Sequence, residues 1–170
     1  MNEFGTILNG RENNMLKLDL GCGHGCREGY TGVDYIDIDG AIKCNLEKEI
    51  LPFGDNSVSE IYSSHCFEHL DSMRHVFSQM VRVCKNGARI EIWTPHFSSP
   101  MAMCYGHKVV WSETQWMQMC GEFKHVWFDL KKGYIQYDSF EYDNEMCEIS
   151  TSKKVFKYYH QFAMIGHVEK

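Results

Sequence analysis

Apolar residues along the first half of the chain gather in short runs, and each run stops at glycine, proline or a polar turn. Met15-Leu16-Lys17-Leu18-Asp19-Leu20 predicts a first strand, ended by glycines. Thr31 to Tyr35 predicts a second, Ala41 to Asn45 a weaker third, and Val58 to Ser63 a fourth after the turn signal Gly54-Asp55-Asn56. The period then changes. Leu70, Met73, Phe77, Met80, Val81 and Cys84 keep the three/four spacing of one helix face, with Asp71 as the expected N-cap and Gly87 just beyond Lys85 as the stop. Ala88 to Trp93 predicts a fifth strand before Pro95. Ser112-Glu113-Thr114-Gln115 matches a capping box, opening a short helix that ends near Gly121. His125 to Leu130 and Tyr134 to Tyr142 read as two late strands in hairpin relation. Residues 151–170 fit either state: Val155, Tyr159 and Phe162 have helical spacing, while the β-branched and aromatic content suits a strand. Residues 1–14 are polar and expected to be irregular. Strands joined by crossovers point to an α/β fold, a Rossmann-like, mostly parallel sheet with helices on its faces and a closing antiparallel hairpin.

The 170 residues suffice for a single domain, and no linker or repeat divides them. A formal charge of −6 gives no broad basic field, so nucleic acid and anionic membranes are not expected partners. The longest stretch free of Asp, Glu, Lys and Arg, Ile92 to His107, contains two prolines and falls short of the ~20 apolar residues of a membrane span. Glu3, Arg11 and Glu12 interrupt the first thirty residues, where no signal-peptide core is seen. The eight cysteines are scattered without a CxxC pair, which favours reduced thiols and a cytoplasmic location.

The sharpest chemical signal is Asp19-Leu20-Gly21-Cys22-Gly23-His24-Gly25. A strand runs directly into alternating glycines, where backbone can approach a ligand that a Cβ would obstruct. Nine residues after Gly25, Asp34 closes the second strand, and a carboxylate there can accept both hydroxyls of a ribose. A dinucleotide fingerprint would open a full helix and place its acid about 20 residues on. Only five residues separate Gly25 from the second strand, too few for a helix that would hold a pyrophosphate. A nucleoside ligand without phosphates fits better, and S-adenosylmethionine is one. A plain tight turn between two strands is the alternative.

The chain from Lys17 to Pro95 resembles the class I S-adenosylmethionine-dependent methyltransferases. Leu18 to Gly23 is similar to that family's motif I, and Asp34 to its ribose acid. Cys44-Asn45-Leu46-Glu47 with Leu51-Pro52-Phe53-Gly54-Asp55-Asn56-Ser57 resembles its adenine-flanking stretch, with Asn45 where the family usually has Asp. Ile61 to His65 with Glu68-His69-Leu70 resembles the strand-four region, and Lys85-Asn86-Gly87-Ala88-Arg89 the turn before strand five. The resemblance implies cofactor contacts at Asp19, Gly21, Cys22, Gly23, Asp34, Tyr35, Asn45, Leu46, Ser64 and His65. It makes 16–95 the cofactor-binding half and 96–150 the acceptor side with the late strands. The missing first crossover helix resembles a compact subgroup that often accompanies sugar or polysaccharide biosynthesis.

Past strand five, His96-Phe97-Ser98-Ser99 and His107-Lys108 form the expected acceptor wall, because ligands of open parallel sheets sit beyond the carboxyl ends of the strands. Methyl transfer is an in-line displacement that needs positioning, and a hydroxyl acceptor gains from a base. His107 and His96 are the candidates. Asp34, Asp37 and Asp39 lack calcium-loop spacing. His65 and His69, four apart, lack an evident third ligand, so no metal is expected. Most of the four tryptophans are expected in the core, with lining of the acceptor pocket as the alternative for those beyond strand five. The compact chain leaves room for a partner protein or a second copy to complete the acceptor pocket. The competing functions are a non-catalytic cofactor-binding subunit and a dinucleotide oxidoreductase.

Overall fold

A computed structural model describes residues 15–122, 126–128, 135–141 and 155–168. The expectations for residues 1–14, for His125, Leu130, Tyr134 and Tyr142 and for 151–154 lie outside these. The elements are β1 (Leu16–Leu20), β2 (Thr31–Asp34), β3 (Ala41–Lys43), β4 (Val58–Ser64), α1 (Met73–Val83), β5 (Cys84–Pro95), α2 (Glu113–Glu122), β6 (Val126–Phe128), β7 (Ile135–Glu141) and β8 (Val155–Val168). Short 3-10 turns occupy Phe67–His69 and Pro100–Met103.

The eight strands form one sheet in the order β3-β2-β1-β4-β5-β8-β6, with β7 also on β8. Strands β1 to β5 pair with one another in parallel. The C-terminal segment is a strand, not a helix, and runs antiparallel to β5 from Arg89↔His167 to Pro95↔Gln161. The two late strands do not form a hairpin with each other. Each pairs antiparallel with β8, so the closing hairpin is β7–β8 and β6 lies against the end of β8. Non-local pairing of this kind leaves no mark on local sequence.

Register explains how the sheet is covered. Leu18, Ile61 and Ile90 lie side by side, and so do Lys17, Glu60 and Arg89 on the opposite face. The apolar face packs under α1 through Val76, Phe77, Met80 and Val83, and all four are buried. Phe67, Phe77 and Trp116 meet edge-on or tilted at 5.8–6.3 Å, and Trp111 stacks on Trp116 at 4.4 Å. Both described helices therefore belong to one face. Among the described residues the other face carries a polar network and no helix. Glu60 pairs with Lys17 and Arg89, Glu91 with Arg89 and Arg27, and the Arg27 guanidinium lies 4.2 Å over the Tyr62 ring. Trp93 belongs here and not to the core; its indole N–H donates to Glu91 at 2.7 Å.

Two boundaries differ from expectation. Ser72, not Asp71, is the N-cap of α1. The Glu47 carboxylate accepts from the Asp71 and Ser72 N–H groups at 2.5 and 2.9 Å, which leaves the Asp71 side chain to pair with Lys108. Nor does Gly87 end a helix. β5 begins at Cys84, and the Lys85-Asn86-Gly87 stretch is a bulge: two steps along β4, from Val58 to Glu60, span Cys84 to Arg89. The capping box at Ser112 is half formed, with the Gln115 N–H directed at Ser112 Oγ at 3.4 Å.

Candidate cofactor and acceptor site

Chain order reverses at β1, since β2 and β3 go one way from it and β4 and β5 the other. The loops after β1 and β4 must diverge there and leave a crevice. Gly21 sits at its floor with φ +69° and its N–H on the Val33 carbonyl at 2.8 Å. A Cβ at Gly21 would lie 2.2 Å from Cys66 Sγ, so the two loops approach as closely as glycine permits. The connector after Gly21 folds back over β2, where Cys22 Sγ would be 2.7 Å from a Cβ at Gly32.

A cavity of about 600 Å³ opens above Gly21, lined by Gly23, Asp34, Tyr35, Ile36, Asn45, Leu46, His65 and Cys66, and continues to His69, Gly106 and Lys108. A second, of about 400 Å³, shares Gly21 and is lined by Asp19, Cys22, Gly25, Arg27, Tyr62 and Ser64. The ten residues expected at the cofactor all line one or the other. Asp34 is buried; its carboxylate accepts from the Gly23 N–H at 2.8 Å and the Ile36 N–H at 3.1 Å, which ties the glycine loop to β2. Two carboxylate oxygens have capacity for more donors. Asn45 Oδ1 accepts from the Glu47 N–H at 3.0 Å, an Asx turn that fixes the amide beside Leu46. His65 takes φ +53°, uncommon for a residue with a Cβ, and its N–H donates to the Trp93 carbonyl at 3.0 Å.

In the second cavity Asp19 accepts from the Arg27 N–H at 2.8 Å. Burial pushes the Asp19 carboxyl above its ordinary value, against the opposing pull of Arg27. Burial, with Cys26 and the two acids nearby, pushes the Cys22 thiol up to about 11, so it stays protonated at neutral pH. Arg27, Tyr62, Cys66 and Glu68 were not among the expected site residues. Arg27 lies in a connector without periodicity. Only the cation-to-acid pairing with Asp19, eight positions earlier, hints at it.

The two candidate bases are not brought together. His96 is buried at the end of β5, its Nδ1 2.7 Å from Ser98 Oγ and its ring against Phe97, and it lines neither cavity. His107 is half-buried between the lining residues Gly106 and Lys108, edge-on to His69 at 4.7 Å.

A methyltransferase-domain family model matches residues 18–92, from β1 almost to the end of β5. This segment is similar to a methyltransferase domain. The fold of this chain is similar to that of the YcgJ protein of Bacillus subtilis, with a TM-score of 0.63, 12% identity and 92% of each chain covered. It is also similar to a SAM-dependent methyltransferase of Archaeoglobus fulgidus, with a TM-score of 0.61, 19% identity and 90% of this chain and 86% of that one covered. A third likeness is to the methyltransferase in a complex with the Haloferax volcanii Trm112 methyltransferase activator, with a TM-score of 0.55, 16% identity and 92% and 84% covered. No curated protein matches the sequence. The Archaeoglobus protein depends on S-adenosylmethionine as its cofactor. The residues suit that cofactor: Gly21 leaves room where a Cβ would fill the crevice, Asp34 is an anionic acceptor for ribose hydroxyls, and Asp19 with Arg27 offers opposite charges to a zwitterionic amino-acid end.

Proposed function

We propose that this protein is an S-adenosylmethionine-dependent methyltransferase that acts on a hydroxyl of a small polar acceptor, a sugar or polysaccharide precursor. The observation that carries the reading is the wall beyond the nucleoside positions, where His65, His69, Gly106 and Lys108 extend the cavity with groups that hydrogen-bond to hydroxyls. Leu70 adds an apolar side chain to the same wall, so the reading rests on the polar groups beside it and not on the whole lining. When bound, the cofactor supplies a methyl group on a cationic sulfur. Asp34, Asn45 and Leu46 hold the nucleoside, Asp19, Gly21, Cys22, Gly23, Tyr35 and Ser64 surround the rest, and His65 stands at the junction. Of the two acceptor-side histidines the reading uses His107, because it borders the cavity and His96 is held by Ser98 and Phe97.

The acceptor segment carries Phe97, Met101, Met103 and Tyr105, all exposed. Apolar groups clustered on one short segment mark an interaction surface. A partner protein or a second copy of the chain covers it and completes the pocket in this reading, and the Haloferax complex is a precedent for a partner. Among the described residues no helix is long and apolar enough to cross a membrane, and six cysteines are free, in keeping with a single-domain enzyme of the reducing cytoplasm.

The test has two parts. S-adenosylhomocysteine raises the melting temperature and NAD does not; at 100 times its dissociation constant a ligand adds about 2.7 kcal/mol. A flat response to the homocysteine analogue overturns the cofactor assignment. Homocysteine release over a panel of sugars, nucleotide sugars and amines then identifies the acceptor, and turnover confined to amines removes the hydroxyl reading.

A further inference from the structure

Glu68 is almost fully buried, at 1% exposure, in the 3-10 turn after β4. One carboxylate oxygen, Oε1, lies 3.2 Å from His65 Nδ1, and the other, Oε2, has no hydrogen-bond partner. His107 Nδ1 is likewise buried without a partner. Leaving a carboxylate oxygen dry and unpaired is costly unless a cation or donor meets it. These groups converge: one ligand atom each from Glu68, His69 and His107 lies within 4.8 Å of the others.

The backbone holds them there. The Glu68 carbonyl accepts from the Lys108 N–H at 2.7 Å and the Val109 N–H at 3.1 Å, which sets His107 beside the turn although 38 positions separate it from His69. His69 Nδ1 lies 3.2 Å from the Gly106 carbonyl. A carbonyl only accepts, so Nδ1 carries the proton and Nε2 keeps its lone pair. Metal-binding histidines are oriented in this way, with the second ring nitrogen donating to a backbone carbonyl.

We propose that Glu68, His69 and His107 bind a divalent transition-metal ion at the acceptor end of the cofactor cavity. The inference rests on the methyltransferase reading for its role and changes the part played by His107 from base to ligand. Two imidazoles and one carboxylate suit manganese, iron, cobalt or zinc and leave coordination positions open. Two adjacent open positions take the two oxygens of a vicinal diol, a group that sugars possess. The coordinated hydroxyl becomes more acidic. Its oxygen lone pair forms the C–O bond as the C–S bond breaks with its electrons returning to sulfur, and the hydroxyl proton passes to water. S-adenosylhomocysteine and the methyl ether are the products.

The experiment uses full-length protein stripped with a chelator and titrated with Mn²⁺, the free ion being followed by its paramagnetic resonance signal, and repeats the titration with Co²⁺ in visible absorption. One equivalent binds to the wild type. Glu68→Gln, His69→Ala and His107→Ala each weaken binding at least about tenfold, whereas His75→Ala, on α1, does not. Glu68→Gln keeps the side-chain shape, and a retained melting shift with S-adenosylhomocysteine shows that this variant is folded. That same shift tests the cofactor assignment separately, so failure of the metal site and failure of the methyltransferase reading are told apart. No stoichiometric binding of either ion up to about 1 mM, or binding indifferent to all three substitutions, overturns the proposal.

Discussion

Gly21 and Asp34 show how single residues set the cofactor crevice. At Gly21 both the φ of +69° and the contact with Cys66 exclude a side chain. Gly21→Ala therefore lowers stability by roughly 1–3 kcal/mol and abolishes S-adenosylhomocysteine binding, as read by melting and calorimetry. Gly23, with φ +52°, has open space where a Cβ would stand, so its substitution acts through backbone strain and ligand contact and not through packing. Asp34→Ala removes a charged acceptor that also anchors the Gly23 N–H. Hydrogen bonds to charged groups are worth about 1.5–3 kcal/mol, so affinity for the homocysteine analogue falls roughly ten- to hundredfold. Asp37, paired with Lys43 at 3.7 Å and largely exposed, marks the end of the effect, and Asp37→Ala binds as the wild type does. Equal losses at both positions would move the ribose away from Asp34. These positions were legible in the sequence because a glycine turn between two strands has few uses. Glu68 with His107 was not, because they are brought together by backbone hydrogen bonds across the fold, from the Lys108 and Val109 N–H groups to the Glu68 carbonyl.

Among the elements, the polar side of the sheet accounts for the missing first crossover helix. Lys17-Leu18-Asp19-Leu20 and Glu91-Ile92-Trp93 alternate, as suits a sheet packed on one face, whereas parallel strands covered on both faces are apolar throughout. The apolar runs and their glycine stops made β1 to β5 readable, but alternation inside them carried further information about which face of the sheet is polar. Glu60 is the hub of this face. Burial raises its carboxyl, but hydrogen bonds from Tyr30, Lys17 and Arg89 outweigh that and hold it below its ordinary 4.5. A carboxylate with a lowered folded value contributes stability above its unfolded value and loses it as pH falls through the folded one. The stability gap between wild type and Glu60→Gln is therefore widest above about pH 5 and closes in acid, which urea unfolding over a pH series measures. A gap that is constant down the series would mean that Glu60 acts through packing alone.

At the scale of the whole molecule, the apolar and polar faces meet at the turn after β4. Phe67 points into the ring cluster with Phe77 and Trp116, and the next two residues, Glu68 and His69, belong to the acceptor side. Trp111, stacked on Trp116, follows the His107–Val109 segment that bonds to the Glu68 carbonyl. The acceptor wall thus rests on aromatic packing contributed by α1 and α2, whereas Asp34, Asn45 and the glycine loop rest on β1 to β3. That division predicts how a core lesion spreads. Trp116 is fully buried, and Trp116→Ala leaves a large cavity that costs about 3–5 kcal/mol, lowering the melting temperature. In the folded fraction the Phe67 turn loosens, so Mn²⁺ affinity falls more than affinity for S-adenosylhomocysteine. Trp116→Phe, which keeps a ring in the cluster, restores most of both stability and metal binding. If instead the two ligands weaken in parallel in Trp116→Ala, the acceptor wall and the cofactor crevice share one support and the ring cluster is not specific to the acceptor side.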